Sequence, residues 1–83
     1  MGFKYRPSVL ESLASHGAAP TSETPPEFVR DFINDLYLYE IRALRKRLLA
    51  DEFPRSEYSA QVEALRNRYP ILGLPVRLWT EQE

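Results

Sequence analysis

The sequence predicts an all-α protein, a small helical bundle built on a long helix and a third helix folded as an antiparallel hairpin. A short N-terminal helix and an extended C-terminal tail complete it. Three observations carry this expectation. Between Pro26 and Pro54 there is neither glycine nor proline, and the later part of that stretch is rich in Leu, Ala, Arg and Lys, residues that cost a helix little. Apolar positions there recur with the helical period. Only residues 71–79 alternate with period two, and one isolated strand has no partner from which to make a sheet.

The elements follow in chain order. Residues 1–6 read as a loose arm. A short helix is expected over residues 7–17, opened by a capping box of Ser8 and Glu11 and closed by Gly17, a residue suited to the left-handed position after a helix. Its apolar residues Val9, Leu10 and Leu13 need a surface to dock on, and the Phe28–Phe32 side of the long helix offers one. Residues 18–22 (AAPTS) form a linker.

The long helix is expected over residues 24–52, with Thr24 as cap, Pro25 in the first turn and Glu27 completing the box. Such a helix is roughly 40 Å long. Pro54 disfavours helix at Phe53, so the helix ends near Asp51. Its charge is polarised. Glu27, Asp31, Asp35 and Glu40 occupy the first half, and Arg42, Arg45, Lys46 and Arg47 the second, which suits the helix dipole. Two such helices laid antiparallel would also pair acid with base.

At 100° per residue, Val29, Ile33, Leu36, Tyr37, Ile41, Leu44 and Leu48 share one face, flanked by Phe28, Phe32, Tyr39 and Ala43. This arc exceeds the stripe a surface helix needs, so two sides of the helix should be covered. Glu40 falls within the apolar arc. A carboxylate there needs a partner, and an arginine or tyrosine of the facing helix is the expected one.

A tight connection through Phe53 and Pro54 leads to a third helix over residues 56–69, capped by Ser56 and ended by Pro70. Tyr58, Val62, Leu65 and Tyr69 give it one narrow apolar stripe. In the tail, residues 70–83, the residues Leu72, Leu74, Val76 and Leu78 alternate with Gly73, Pro75 and Arg77. An extended segment follows, which either buries its apolar side along the hairpin or docks on another protein with Trp79 as anchor. Residues 81–83 should fray.

Composition bounds the function. The 83 residues form one domain (1–83) with a modest core. Net charge is −1 and there is no cysteine, so no global charge draws the chain to nucleic acid and no thiolate site exists. No apolar run is long enough to span a membrane, and the first residues lack a signal-peptide core. A cytoplasmic protein is expected.

The single histidine, His16, sits before Gly17, where dipole and cap explain it. The three glycines are isolated, so no phosphate loop forms. No catalytic residue, metal site or cofactor is expected. The favoured reading is a non-catalytic protein–protein interaction module, an accessory or adaptor subunit that docks on a protein partner or forms a homodimer through the long helix. Its candidate interface residues are Phe28, Phe32, Glu40, Leu74, Val76, Leu78 and Trp79. The first alternative is a nucleic-acid-binding protein whose hairpin has a basic end, with Arg42, Arg45, Lys46, Arg47, Arg66 and Arg68 as phosphate contacts. The second is a small metal or carboxylate site at Glu40.

Overall fold

In order along the chain come α1 (Pro7–Ala14), α2 (Pro26–Leu49), a 3-10 turn (Arg55–Glu57), α3 (Tyr58–Arg66) and two further 3-10 turns, Pro70–Gly73 and Val76–Leu78. The computed structural model describes residues 2–81. Among them there is no strand beyond a single antiparallel bridge, Tyr5 with Thr80, so the chain is all-α.

α2 is the spine. Proline in its first turn suits the helix start, but Pro25 rather than Thr24 is the capping residue and no side chain caps the end. The Thr24 hydroxyl instead accepts a hydrogen bond from the Thr21 N–H. The other two expected capping serines are unused as well. α1 starts from Arg6, and a 3-10 turn precedes α3. Both long-range exits are backbone motifs. After α2, Asp51 adopts φ 59°, and the N–H groups of Asp51 and Glu52 donate to Leu48 O and Arg47 O. After α1, Gly17 adopts φ 79°, and Gly17 and Ala18 donate to Ala14 O and Leu13 O. Each pair satisfies carbonyls that a helix end leaves open.

The core residues are Tyr5, Val9, Leu13, Val29, Ile33, Leu44, Leu65, Tyr69, Ile71 and Trp79. They divide along α2. Its second half is covered by α3, with Leu44 and Leu65 in the shared core and Arg68 paired with Glu40. Its first half is covered by the tail, whose turns pack on α2 while α1 packs on the Pro70–Gly73 turn.

The tail therefore differs from the expected extended segment. It is wound into two 3-10 turns, and Trp79 is fully buried. The Trp79 indole N–H donates to Leu74 O at 3.0 Å, as a buried indole requires. Alternate burial survives the change: Leu72, Leu74, Val76 and Leu78 are half-buried, and Gly73, Pro75 and Arg77 are exposed. Pro70 and Pro75 each open a turn, because their fixed φ suits a 3-10 start and they lack the N–H a strand would use.

Residues 2–6 are not a loose arm, and residue 1 lies outside the described residues. Tyr5 is buried, and its hydroxyl donates to Thr24 O. Arg6 N–H donates to Trp79 O at 3.0 Å, and Glu81 N–H to Lys4 O at 2.8 Å. A Lys4–Glu81 ion pair at 3.1 Å flanks these bonds. Glu81 is thus held rather than frayed, and residues 82 and 83 lie outside the described residues. Phe3 N–H donates to Ser22 O, and a side chain at Gly2 would collide with Ser22. The alternating tail does have a partner, in the short arm around Tyr5.

The molecule measures 51 × 17 × 16 Å, with a radius of gyration of 15.4 Å. A compact chain of this length would have about 12 Å. The excess comes from α2, whose 24 residues run about 36 Å.

Candidate functional site

Two places on α2 gather the residues singled out by sequence: its bare outer face, and the junction around Glu40.

The outer face lies opposite Val29, Ile33 and Leu44. Phe28 is 72% exposed, Tyr39 71% and Leu49 68%, and Phe32 and Leu38 are exposed too. α1 does not cover Phe28 and Phe32 as expected, because it docks on the tail instead. An open apolar groove of 240 Å³ remains beside them, floored by Val29 and walled by Ala18, Ala19 and Pro20. The same face carries Asp31, Asp35, Arg42, Arg45 and Lys46, all exposed. Ion pairs among the described residues are Lys4–Glu81, Arg47–Glu52 and Arg68–Glu40. The five charges of the outer face therefore have no ionic partner among those residues.

The basic residues do not converge on one end. Arg45, Lys46 and Arg47 sit near the end of α2, with Arg47 held by Glu52 at 3.4 Å and poised 5.7 Å over the Phe53 ring. Arg68 lies farther back beside Glu40, and Arg66 shares a groove with Arg30, Asn34 and Tyr37. The reversal of the chain between α2 and α3 returns the end of α3 to the middle of α2, so that of these residues only Arg47 and Arg68 line one groove together.

Glu40 has two partners, an arginine and a tyrosine, both just past α3. Tyr69 O–H donates to Glu40 Oε2, and Arg68 Nη2 lies 3.4 Å from Oε1. The Tyr69 ring is buried, stacks on His16 with centroids 4.2 Å apart, and meets the Tyr37 ring edge-on at 5.3 Å. Burial first, then the hydrogen bond to Glu40 and the negative charge of Glu40, push the Tyr69 phenol up to about 12, against a smaller opposing pull from Arg68. Burial, then the charge of Glu27, also raises Tyr5. Tyr69 is therefore a neutral donor already committed to Glu40, and neither a base nor a nucleophile near neutral pH. His16 Nε2 is buried with no hydrogen-bond partner among the described residues, beside a 430 Å³ cleft lined by Ser15, His16, Glu40, Arg68 and Tyr69. No group of three His, Cys, Asp or Glu side chains gathers among the described residues. The junction joins the end of α1, the middle of α2 and the exit of α3.

Of the other candidate interface residues, Leu74 and Val76 pack against the core, Leu78 is half-buried and Trp79 is part of the core. They are committed within the chain, unlike Phe28 and Phe32. Sequence reasoning missed the His16–Tyr69 stack and the exposed Leu38 and Leu49. No periodicity links His16 to Tyr69. Leu38 and Leu49 fall outside the apolar arc, which was their one available signal.

Comparison with protein-family models, with curated proteins and with solved structures finds no significant match in any of the three. No helix among the described residues is long and apolar enough to cross a membrane.

Proposed function

We propose that this protein is a non-catalytic protein–protein interaction module that docks through the outer face of α2, with the cytoplasm as its setting. One observation carries the reading: of the seven large apolar residues left exposed among the described residues, five (Phe28, Phe32, Leu38, Tyr39 and Leu49) lie on α2, and only Phe3 and Leu10 lie elsewhere. Exposed apolar side chains scattered singly are ordinary, but five gathered on one face of one element, interspersed with charges, support a contact surface. Aromatic residues at its centre are the type that anchors interfaces. The cysteine-free composition suits a reducing compartment.

Nucleic-acid binding is the second reading, because Arg42, Arg45 and Lys46 are exposed and have no ionic partner among the described residues. Asp31 and Asp35 on the same face oppose phosphate, which places this reading behind the first.

The test compares the native-source assembly of the wild-type chain with that of a Phe28→Ser/Tyr39→Ser variant. Both positions are more than two-thirds exposed, so the variant keeps its melting temperature. Loss of the assembly supports docking by this face. An unchanged assembly overturns it. Salt-sensitive binding to duplex DNA or RNA that disappears in Arg45→Gln/Lys46→Gln would favour the second reading.

A further inference from the structure

We infer that the occupant of the outer face is a second copy of this chain, laid antiparallel along α2 with a two-fold axis between Leu38 and Tyr39. This rests on the docking reading and names its partner. The argument comes from the order of residues along the face. Phe28, Asp35, Arg42 and Leu49 recur at heptad intervals, so they stay in line along the helix. Asp31, Phe32, Leu38, Tyr39, Arg45 and Lys46 fill the intervening turns, and all ten residues are exposed.

Two antiparallel helices related by a two-fold axis bring opposite one another the residues whose numbers share one sum. With the axis between Leu38 and Tyr39, Asp35 comes level with Arg42 of the second copy, and Asp31 with Lys46. Phe28 comes level with Leu49, and Leu38 and Tyr39 meet around the axis. Both charge pairs are of opposite sign, and the apolar residues fall on apolar residues. A two-fold contact is made from the same patch on both chains, so each pair occurs twice.

The residues that would pair are those the chain leaves without partners. Asp31, Asp35, Arg42 and Lys46 have no ionic contact among the described residues. The polarised charge that suits the helix dipole therefore also makes α2 complementary to its own reverse. Parallel alignment would set Asp31 and Asp35 against their own copies, so the pattern selects the antiparallel one. The shape agrees, since a 51 Å rod only 17 Å across offers this contact along its side.

Sedimentation equilibrium of the full chain tests the inference, with three samples at matched concentration: wild type, Asp35→Arg and Arg42→Asp. Both side chains are exposed and without ionic contact among the described residues, so each variant folds, as circular dichroism will confirm. The wild type is expected to dimerise. Each variant places two like-charge contacts at the centre and is expected to weaken dimerisation by about tenfold or more. An equal mixture of the two variants is expected to recover the dimer as a heterodimer, because each reversal then faces its complement. A wild-type chain that stays monomeric to millimolar concentration overturns the inference; the docking reading then stands or falls on the native-source assembly alone. A dimer indifferent to both reversals, or a mixture that fails to recover it, overturns the proposed alignment.

Discussion

Glu40 and Tyr69 show how one misplaced charge organises its surroundings. Within the apolar arc of α2 the carboxylate needs donors, and Tyr69 and Arg68 bring the exit of α3 to it. Tyr69→Phe removes one charge-assisted hydrogen bond and should cost about 1–2 kcal/mol, seen as a lower thermal midpoint. Glu40→Gln keeps an acceptor for the phenol and should cost less. The double variant should cost less than the two single costs combined, since both act on one bond. The phenol also sets an alkaline limit. Its ionisation lies near 10 in the unfolded chain and is raised to about 12 in the folded one, so the folded state favours the protonated form. That stabilisation is whole below pH 10 and is lost as pH rises through about 12. Titration of tyrosinate absorbance should show a late step, absent in Tyr69→Phe, and unfolding should accompany it. At the other special position, Gly17→Ala meets no atom within 4 Å, so its penalty is purely that of a left-handed alanine, about 1 kcal/mol. That corresponds to roughly 4–8 °C in Tm for a domain this size.

At the scale of elements, the tail is the decisive piece. Trp79 and Ile71 belong to the core and the Pro70–Gly73 turn is the platform for α1. Trp79→Ala should therefore cost about 3–5 kcal/mol, a large part of what a chain of this length has to spare. A chain cut after Tyr69 should lose cooperative melting altogether, with α1 released. Circular dichroism across a thermal ramp checks both. The comparison with sequence reasoning turns on the same elements. α2 was legible because its apolar period runs for many turns, and the Gly17 exit because glycine has few better uses there. Side-chain caps failed at all three helices, since Thr24, Ser8 and Ser56 are only permissive signals and backbone and proline satisfied those starts. The alternation in residues 71–79 was a true record of which side is buried, but Pro70 and Pro75 turned an alternating segment into 3-10 turns. Tyr5 gave little warning of its burial, because the alternation of Met1, Phe3 and Tyr5 is too short a run to mark a paired segment.

The whole molecule is longer than its mass requires. Core packing lines one side of α2 only, and the sequence's over-wide arc becomes a covered side and a bare flank carrying Phe28 and Phe32. The bare flank of the candidate site was thus half legible: Phe28 and Phe32 stood out beside the arc, while Leu38 and Leu49 acquire meaning only once the far side of α2 is seen to be uncovered. Small-angle scattering of monomeric protein should give a radius of gyration well above the roughly 12 Å of a compact chain of this length. Association along the side of the rod should raise that radius much less than association end to end.

The clasp between residues 4–6 and 79–81 has a mechanical consequence. Its two backbone bonds, Glu81 to Lys4 and Arg6 to Trp79, join antiparallel segments whose outer ends lie on the same side. A force drawing those ends apart loads the bonds one after the other, Lys4–Glu81 first, so the clasp opens like a zip rather than resisting as a unit. Once it parts, the load reaches Tyr5 and Trp79 directly, and the fold should yield from its closed end toward the tip of α2.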